Sequence, residues 1–361
     1  MAKFSEVLTI VNGRNQNQVV CDDGKYPIYG SGGIMGYAND YICKAETVVI
    51  GRKGSINKPI FVETPFWNVD TAFGLCANSE KLNPKYLYYF CEKFDFEKLN
   101  TTVTIPSLTK SNLLNVEIPL PNLEKQKQIV ELLDKVTSLI SLRKHQLEKL
   151  DELIKARFVE MFGTFPANPF RWSIGKIQDV VSDVRYGSSR PAVEGGKYPY
   201  LRMNNITYSG ELDLRDTKRI DIPDSELDKC TVRRGDVLFN RTNSKELVGK
   251  TCVYNRDELM VLAGFVIRVR INERIRPEVL SAFLNMDFSK RMLIGMCKTA
   301  IGQANINAKE LQNIDLYIPP IELQDQFVTL KNKIDQQKQT VQQSLEKLEL
   351  LKKALMQEYF G

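Results

Sequence analysis

The feature that most constrains the fold is an internal repeat. When the chain is shifted by 198 residues, 113–163 align with 311–361 without a gap, and 19 of the 51 aligned positions are identical. The two copies end alike, on LEKLDELIKARFVEMFG at 147–163 and on LEKLELLKKALMQEYFG at 345–361. Chance would produce only a few identities, so we predict a tandem duplication, built from two copies of one structural unit.

Each copy is predicted to be a globular unit followed by a long helix. The boundaries are 1–120 and 164–319 for the units, and 121–163 and 320–361 for the helical segments. Each unit ends in an extended stretch, VEIPLP or IDLYIPP, because proline disfavours helix in the residue before it. Within the units, short β-like runs alternate with turn residues and one helical run. The predicted fold class is α+β, with two similar α/β domains separated by the helical segments.

Both helical segments carry a heptad pattern, which is typical of helices that pack along one seam. Apolar residues recur every seven positions at Leu133, Ile140, Leu147 and Ile154, and at Phe327, Ile334, Val341, Leu348 and Leu355. Two seams of equal length in one chain favour an intramolecular antiparallel coiled coil. A helix of roughly 40 residues would be roughly 60 Å long. The alternative is that each helix packs only against its own globular unit.

Composition excludes several classes of protein. The chain has 361 residues, of which 43% are hydrophobic and 26% charged, and no apolar run reaches the roughly 18 residues of a membrane span. Its seven cysteines form no C-x-x-C pair, and the first residues do not resemble a signal peptide. We therefore expect reduced thiols and a cytoplasmic location.

The sequence contains no convincing catalytic cluster. The single histidine, His145, lies in a charged helical stretch, where a solvated side chain is the expected role. There is no ATP-binding P-loop and no Asn-Pro-Pro-aromatic motif of amino-methyltransferases. The run IDIPDSELDK at 220–229 has the wrong spacing for a nuclease site. We expect no catalytic residue, no metal and no cofactor in this chain.

In the first unit, two loops are candidates for DNA contacts. Gly30, Ser31 and Gly32 belong to a glycine-rich loop that could let a phosphate backbone approach closely, or could simply form a tight turn. The second loop follows a β-like run and contributes Arg52, Lys53, Asn57 and Lys58. Arginine can read guanine and lysine can neutralise phosphate, although charged turns are ordinarily only solvated.

The second unit offers a corresponding loop. Its candidates are Arg241, Thr242, Asn243 and Lys245, and a less specific stretch adds Arg202, Asn204 and Asn205. Charged loops at matching places in both copies strengthen the functional interpretation. The net charge of +6 is concentrated in 164–320, which holds 24 basic and 19 acidic residues, whereas 1–121 holds 12 of each. Such a modest basic excess suits a nucleic-acid partner without requiring one.

Taken together, these stretches resemble a known family. KYPIYGSGGIMGY, VVIGRKGSINKP, GDVLFNRTNSKELVGK and IPLPNLEKQKQIV are similar to segments of the specificity subunits of Type I restriction–modification enzymes. The resemblance covers essentially the whole chain. It implies that each globular unit is a target-recognition domain for one half of a split DNA site. It also implies that the paired helices set the gap between the two halves. A helix of roughly 60 Å, at about 3.4 Å per base pair, would limit the spacing between the half-site centres to below roughly 18 base pairs.

The resemblance implies partners as well. Adenine methyltransferase subunits, usually two, would dock on the helices, where the nine heptad residues are the candidate contacts. Restriction subunits with translocase activity would join the complex. S-adenosylmethionine, ATP and magnesium would belong to those partners. Two alternatives stay open at this point. One is a nuclease or methyltransferase acting on DNA alone, and the other is a DNA-binding regulator without a methyltransferase partner.

Overall fold

The computed structural model describes residues 1–100, 107–300 and 303–361. The chain forms two compact units, one made of 1–145 with 342–361 and the other of 146–341. Each unit therefore combines one globular domain with parts of both long helices. Among the described helices, none is both long enough and apolar enough to cross a membrane.

The first unit contains the elements that precede the first long helix, and it shares that helix with the second unit. In chain order they are β1 (Ala2–Lys3), α1 (Phe4–Val7), β2 (Leu8–Asn12), β3 (Tyr26–Gly30), β4 (Gly33–Ala38), β5 (Thr47–Gly51), β6 (Ile60–Val62), β7 (Trp67–Asn68), β8 (Ala72–Ala77), α2 (Pro84–Lys93), α3 (Lys110–Leu114), β9 (Glu117–Ile118) and α4 (Leu123–Phe162). A four-stranded antiparallel sheet has the order β2-β8-β5-β6, and a three-stranded sheet has the order β4-β3-β7.

Strand β5 is buried on both faces of this sheet. All five of its residues are apolar or small and buried, and successive side chains point to opposite faces of the sheet. Val48 and Ile50 enter the core beneath α2, whereas Val49 joins a second cluster with Cys43 and Phe66 on the other face. A continuous apolar run, rather than an alternating one, is the expected pattern for such a strand.

The second unit repeats this arrangement with insertions. Its elements are β10 (Ser173–Lys176), β11 (Val181–Tyr186), β12 (Tyr198–Leu201), β13 (Lys218–Ile220), α5 (Asp224–Cys230), β14 (Thr231–Val232), β15 (Val237–Asn240), β16 (Thr242–Asn243), β17 (Thr251–Val253), β18 (Met260–Leu262), β19 (Val266–Ile271), α6 (Pro277–Asn285), α7 (Asp287–Met296), β20 (Lys298–Ala300), β21 (Gln303–Asn305), α8 (Ala308–Gln312), β22 (Asp315–Ile318) and α9 (Ile321–Phe360). The sheet β11-β19-β15-β17 matches β2-β8-β5-β6, and β13-β12-β18 matches β4-β3-β7 with β14 added.

The long helices α4 and α9 contain 40 residues each and lie within the predicted segments 121–163 and 320–361. In the first unit, Leu133 of α4 shares a core cluster with Met356 of α9, and Lys144 forms an ion pair of 3.1 Å with Glu349. Residue numbers therefore increase along α4 in the direction in which they decrease along α9. The two helices are antiparallel in this unit.

The same direction holds in the second unit. Lys338 of α9 forms an ion pair with Asp151 of α4, and the ring of Phe327 lies 5.6 Å from that of Phe158. The predicted fold class, α+β with two repeated domains and two long helices, is confirmed.

Candidate nucleic-acid interface

The glycine-rich loop of the first unit is the turn of a tight β-hairpin. Gly30 of β3 pairs with Gly33 of β4, so only Ser31 and Gly32 lie between the strands. Gly33 has a φ of +119°, a conformation that favours glycine. A Cβ atom on Gly30 would lie 2.5 Å from Sδ of Met35. The turn itself therefore accounts for Gly33, while Gly32 is exposed and available for close approach.

The basic loop of the first unit lies beside this hairpin. A Cβ atom built on Gly51, at the end of β5, would come within 3.0 Å of Cβ of Ser31. The next residue, Arg52, is exposed, and its Cζ lies 5.8 Å from the centroid of the Phe73 ring. Lys53 is exposed as well. The structure thus brings the two loops that the sequence singled out onto one surface.

In the second unit, Arg241 follows β15 and is held more firmly. Its Cζ lies 4.8 Å from the centroid of the Tyr186 ring, within the range of a cation–π contact. Its Nη1 donates to the carbonyl oxygen of Gly264 at 3.4 Å. The Tyr186 hydroxyl accepts a 2.8 Å hydrogen bond from the backbone N–H of Ala308, which fixes the ring. The guanidinium is therefore preorganised on an aromatic face.

Arg52 and Arg241 occupy equivalent places in the repeat. The N–H of Arg52 donates to the Thr71 carbonyl at 2.8 Å, and its carbonyl accepts from the N–H of Leu108 at 2.9 Å. Arg241 makes the corresponding pair of bonds, to the Phe265 carbonyl at 3.0 Å and from the N–H of Ile306 at 2.9 Å. Both copies thus present an arginine from the same backbone position.

Two of the predicted DNA-contacting amides are already engaged within the fold. Asn57 donates to Asp95 at 2.9 Å and accepts from the N–H of Phe96 at 2.7 Å, and its donation helps to lower the pKa of Asp95. Asn205 is buried; it accepts from the N–H of Arg202 at 2.9 Å and donates to the Asp213 carbonyl at 2.8 Å. Both side chains stabilise loops, so base reading would have to break these bonds.

The remaining candidate DNA-contacting residues differ in how much of their side chains is exposed to solvent. Arg202 is half-buried and forms a 3.0 Å ion pair with Asp216. Thr242 is buried, and Asn243 accepts from the N–H of Ser244 at 2.9 Å. Three candidates are exposed to solvent: Lys58, Asn204 and Lys245. Within the described residues, no group of three or more His, Cys, Asp or Glu side chains could hold a metal ion.

Both repeats match the same protein family. The model of the Type I restriction modification DNA specificity domain covers residues 1–152 and 171–350. The chain belongs to this family. The resemblance seen in the sequence is thereby confirmed, and the two matched ranges agree with a duplication of the specificity domain.

Other specificity subunits are similar over much of the chain. It is 23% identical over 299 residues to the EcoKI specificity subunit of Escherichia coli K12, covering 77% of this chain and 64% of that protein. It is 26% identical over 339 residues to the MjaVIII specificity subunit of Methanocaldococcus jannaschii, covering 86% and 75%. The chain thus spans slightly less than two thirds of the EcoKI subunit.

Solved structures share the fold of this specificity-domain protein. The S subunit of a Type I restriction–modification system from M. genitalium matches with a TM-score of 0.63 and 15% identity, over 100% of this chain and 95% of that one. A second chain, from a structure concerning complex assembly and conformational transition of the type I system, gives 0.58 and 18%, over 99% and 96%. At such identities the likeness concerns the fold alone.

The long helices of this specificity-domain protein have an inward and an outward side. Of the nine heptad residues proposed for partner contacts, four are buried: Leu133, Phe327, Ile334 and Val341. The other five are half-buried: Ile140, Leu147, Ile154, Leu348 and Leu355. These columns therefore contribute mainly to packing within the chain.

A different set of leucines faces solvent, and sequence reasoning missed it. Beyond Leu123, the first residue of α4, the exposed leucines of the helix pair in the first unit are Leu132, Leu139, Leu142, Leu350 and Leu351. Leu132, Leu139 and Leu142 are seven and three residues apart, so they share one face of α4. We call these five residues the leucine face. Leu132 and Leu139 each directly precede a residue of the heptad column, Leu133 or Ile140. The seven-residue spacing of both columns is visible in the sequence, but only the burial of the side chains shows which column faces solvent.

Proposed function

We propose that this chain is the DNA-reading, non-catalytic subunit of a Type I restriction–modification complex. Each globular domain would read one half of a bipartite site in double-stranded DNA, and the helices would set the gap between the halves. The observation that carries the proposal is the equivalent placement of Arg52 and Arg241, one on each copy of the domain. Two equivalent readers in one chain are what two half-sites require.

The chemistry of the two loops suits this role. A guanidinium can donate two hydrogen bonds to guanine O6 and N7 in the major groove, which is a common specific contact. Neighbouring lysines such as Lys53 and Lys245 can neutralise phosphates, which adds affinity without sequence information. The stacking of Arg241 on Tyr186 reduces the conformational entropy that the arginine loses on binding.

The proposal includes partners. Adenine methyltransferase subunits, two per complex, would dock on the helices, and the leucine face is the apolar surface that supports this docking. Restriction subunits with translocase activity would complete the assembly. S-adenosylmethionine, ATP and magnesium would be bound by those partners, and the complex would act in the cytoplasm.

The test is a map of N6-methyladenine at single-base resolution in cells with and without this gene. We expect one split motif, two short halves across a fixed gap, to be methylated only when the gene is present. Exchange of 1–120 or 164–319 for the matching range of another specificity subunit should change one half at a time. Identical maps, together with copurification of an active methyltransferase, would contradict the proposal.

A further inference from the structure

A tight turn accompanies the arginine in each unit. In the first unit, the N–H of Ala72 donates to the carbonyl of Val69 at 3.0 Å, and in the second, Val266 donates to Ala263 at 2.9 Å. The two turns are equivalent, because each leads into the strand, β8 or β19, that pairs with the strand directly before the arginine, β5 or β15. We call them tip turns, 69–72 and 263–266.

The tip turn of the second unit is tied to its surroundings by backbone hydrogen bonds. Arg241 donates its N–H to the Phe265 carbonyl at 3.0 Å, and Gly264 donates to the Ser188 carbonyl at 2.7 Å. The guanidinium of Arg241 also donates to the carbonyl of Gly264. The backbone that carries Phe265 is thus held against both Arg241 and the loop that follows Tyr186.

The side chain of Phe265 is 53% exposed on this rigid support. A single exposed apolar residue is ordinary on a protein surface. This one, however, is next to a preorganised arginine, where a bound DNA would remove its ring from water. The equivalent position in the first unit is Thr71, which follows Asp70, and both are exposed. The two copies therefore keep the same turn but present different chemistry at its tip.

We infer that the tip turn is a second reading element, and that Phe265 contacts the C5-methyl group of a thymine in the half-site read by the second domain. Thymine alone among the bases presents a methyl group in the major groove, and phenylalanine is one of the side chains that can contact it. This inference rests on the proposed function and adds to it a residue that determines specificity.

The experiment measures binding of the full chain to its mapped site, with each thymine of the second half-site replaced in turn by deoxyuridine. Deoxyuridine keeps the base pair and removes only the methyl group. We expect one replacement to weaken wild-type binding about fourfold, the equivalent of roughly 0.8 kcal/mol for one buried methyl-sized group. Phe265→Ala should bind the unmodified site about as weakly and should be insensitive to that replacement.

Matched variants separate a base contact from a folding effect. Tyr208→Ala removes another exposed aromatic of the same unit, one that lies over Lys290, and should retain the full sensitivity to the methyl group. Phe265→Leu should retain part of it, and all variants should melt at the wild-type temperature. Replacements in the first half-site should affect wild type and Phe265→Ala equally.

Either of two binding results would overturn the assignment of Phe265 alone, and the sequence of the mapped site could do so as well. The first is a wild-type chain that prefers its site but tolerates every deoxyuridine, and the second is a Phe265→Ala variant that remains as sensitive as wild type. A second half-site without any thymine would do the same. If the wild-type chain did not prefer the mapped site over unrelated DNA, the proposed function would fall together with this inference.

Discussion

Gln126 and Gln324 make the same three hydrogen bonds, each within its own unit. Oε1 of Gln126 accepts from the N–H of Asn83 at 2.8 Å, and its Nε2 donates to the carbonyls of Lys81 at 3.0 Å and Pro121 at 2.8 Å. Both glutamines are fully buried. Each amide therefore joins the first turn of a long helix to the start of a domain helix, α2 or α6.

Gln324 repeats this geometry with the corresponding partners. It accepts from the N–H of Arg276 at 2.8 Å and donates to the carbonyls of Arg274 at 3.1 Å and Pro319 at 2.8 Å. Asn83 and Arg276 are the N-cap residues of α2 and α6. The amide thus satisfies a backbone N–H that lacks a partner within its own helix.

Replacing either glutamine by alanine should lower the free energy of unfolding by about 2–3 kcal/mol, because buried backbone groups lose their partners. Chemical denaturation of Gln126→Ala and Gln324→Ala measures this loss. Gln128→Ala and Gln326→Ala are matched controls, since these glutamines are exposed on the same helices. Equal losses in buried and exposed positions would refute the structural role.

Arg241→Ala should relax the sequence preference of the second half-site only. Loss of a bidentate arginine–guanine contact corresponds to about 1–3 kcal/mol of discrimination. A methylation map of cells carrying the variant measures it, and Arg256→Ala, an exposed arginine of the same unit, is the control. Equal relaxation in both half-sites would argue against this assignment.

Arg52→Ala and Lys53→Ala should weaken DNA binding more than any single lysine change in 164–320. The reason is that the first domain carries no net charge, so its DNA affinity has to depend on a few loop residues. Titration of the variants against the mapped site compares the losses. Comparable losses for lysines throughout the second domain would contradict this dependence.

The leucine face should be needed for partner binding but not for folding. We expect Leu139→Glu or Leu142→Glu to reduce copurification of methyltransferase subunits at least tenfold while leaving the melting temperature unchanged, because both leucines are exposed. Leu133→Ala, at a buried position one residue from Leu132, should instead destabilise the fold by about 2–5 kcal/mol. Full copurification of both glutamate variants would remove the leucine face as the docking surface.

Lys290 should make stability rise with pH. Burial, with smaller effects of Lys155 and Lys250, lowers the pKa of Lys290 to about 7 from 10.5. Between these values the unfolded chain binds more protons than the folded one, so the free energy of unfolding increases as pH rises and is lowest below pH 7. From pH 7 to 9 the gain should approach about 2 kcal/mol.

Lys290→Met should remove this pH-dependent gain. Denaturation of both proteins at pH 7 and pH 9 tests it, and the difference between the two pH values should be smaller in the variant. Lys309→Met, which replaces an exposed lysine of the same unit, is the control and should retain the wild-type slope. An unchanged slope in Lys290→Met would show that another group is responsible.

Local patterns were sufficient for much of this protein. Repetition at a fixed distance identified two copies, and the run from Pro121 to Gln128 recurs as Pro319 to Gln326 with both buried glutamines conserved between the copies. Heptad spacing and the proline-bearing stretches placed both long helices, because helix formation and termination depend on neighbouring residues. The loops of Arg52 and Arg241 could be matched for the same reason: each directly follows a β-like run.

Only tertiary structure decided which of those residues remain available. In the sequence, Asn57 and Asn205 are candidate base readers. In the structure, the amide of Asn57 donates to the carboxylate of Asp95, which is distant in the chain, and the amide of Asn205 donates to the backbone carbonyl of the nearby Asp213. Tyr186 and Phe265 carried no signal, because their placement beside Arg241 depends on strands and turns from three separate segments. Residue spacing describes the order of residues along the chain. Hydrogen-bond satisfaction and solvent exposure depend instead on which distant residues folding brings into contact.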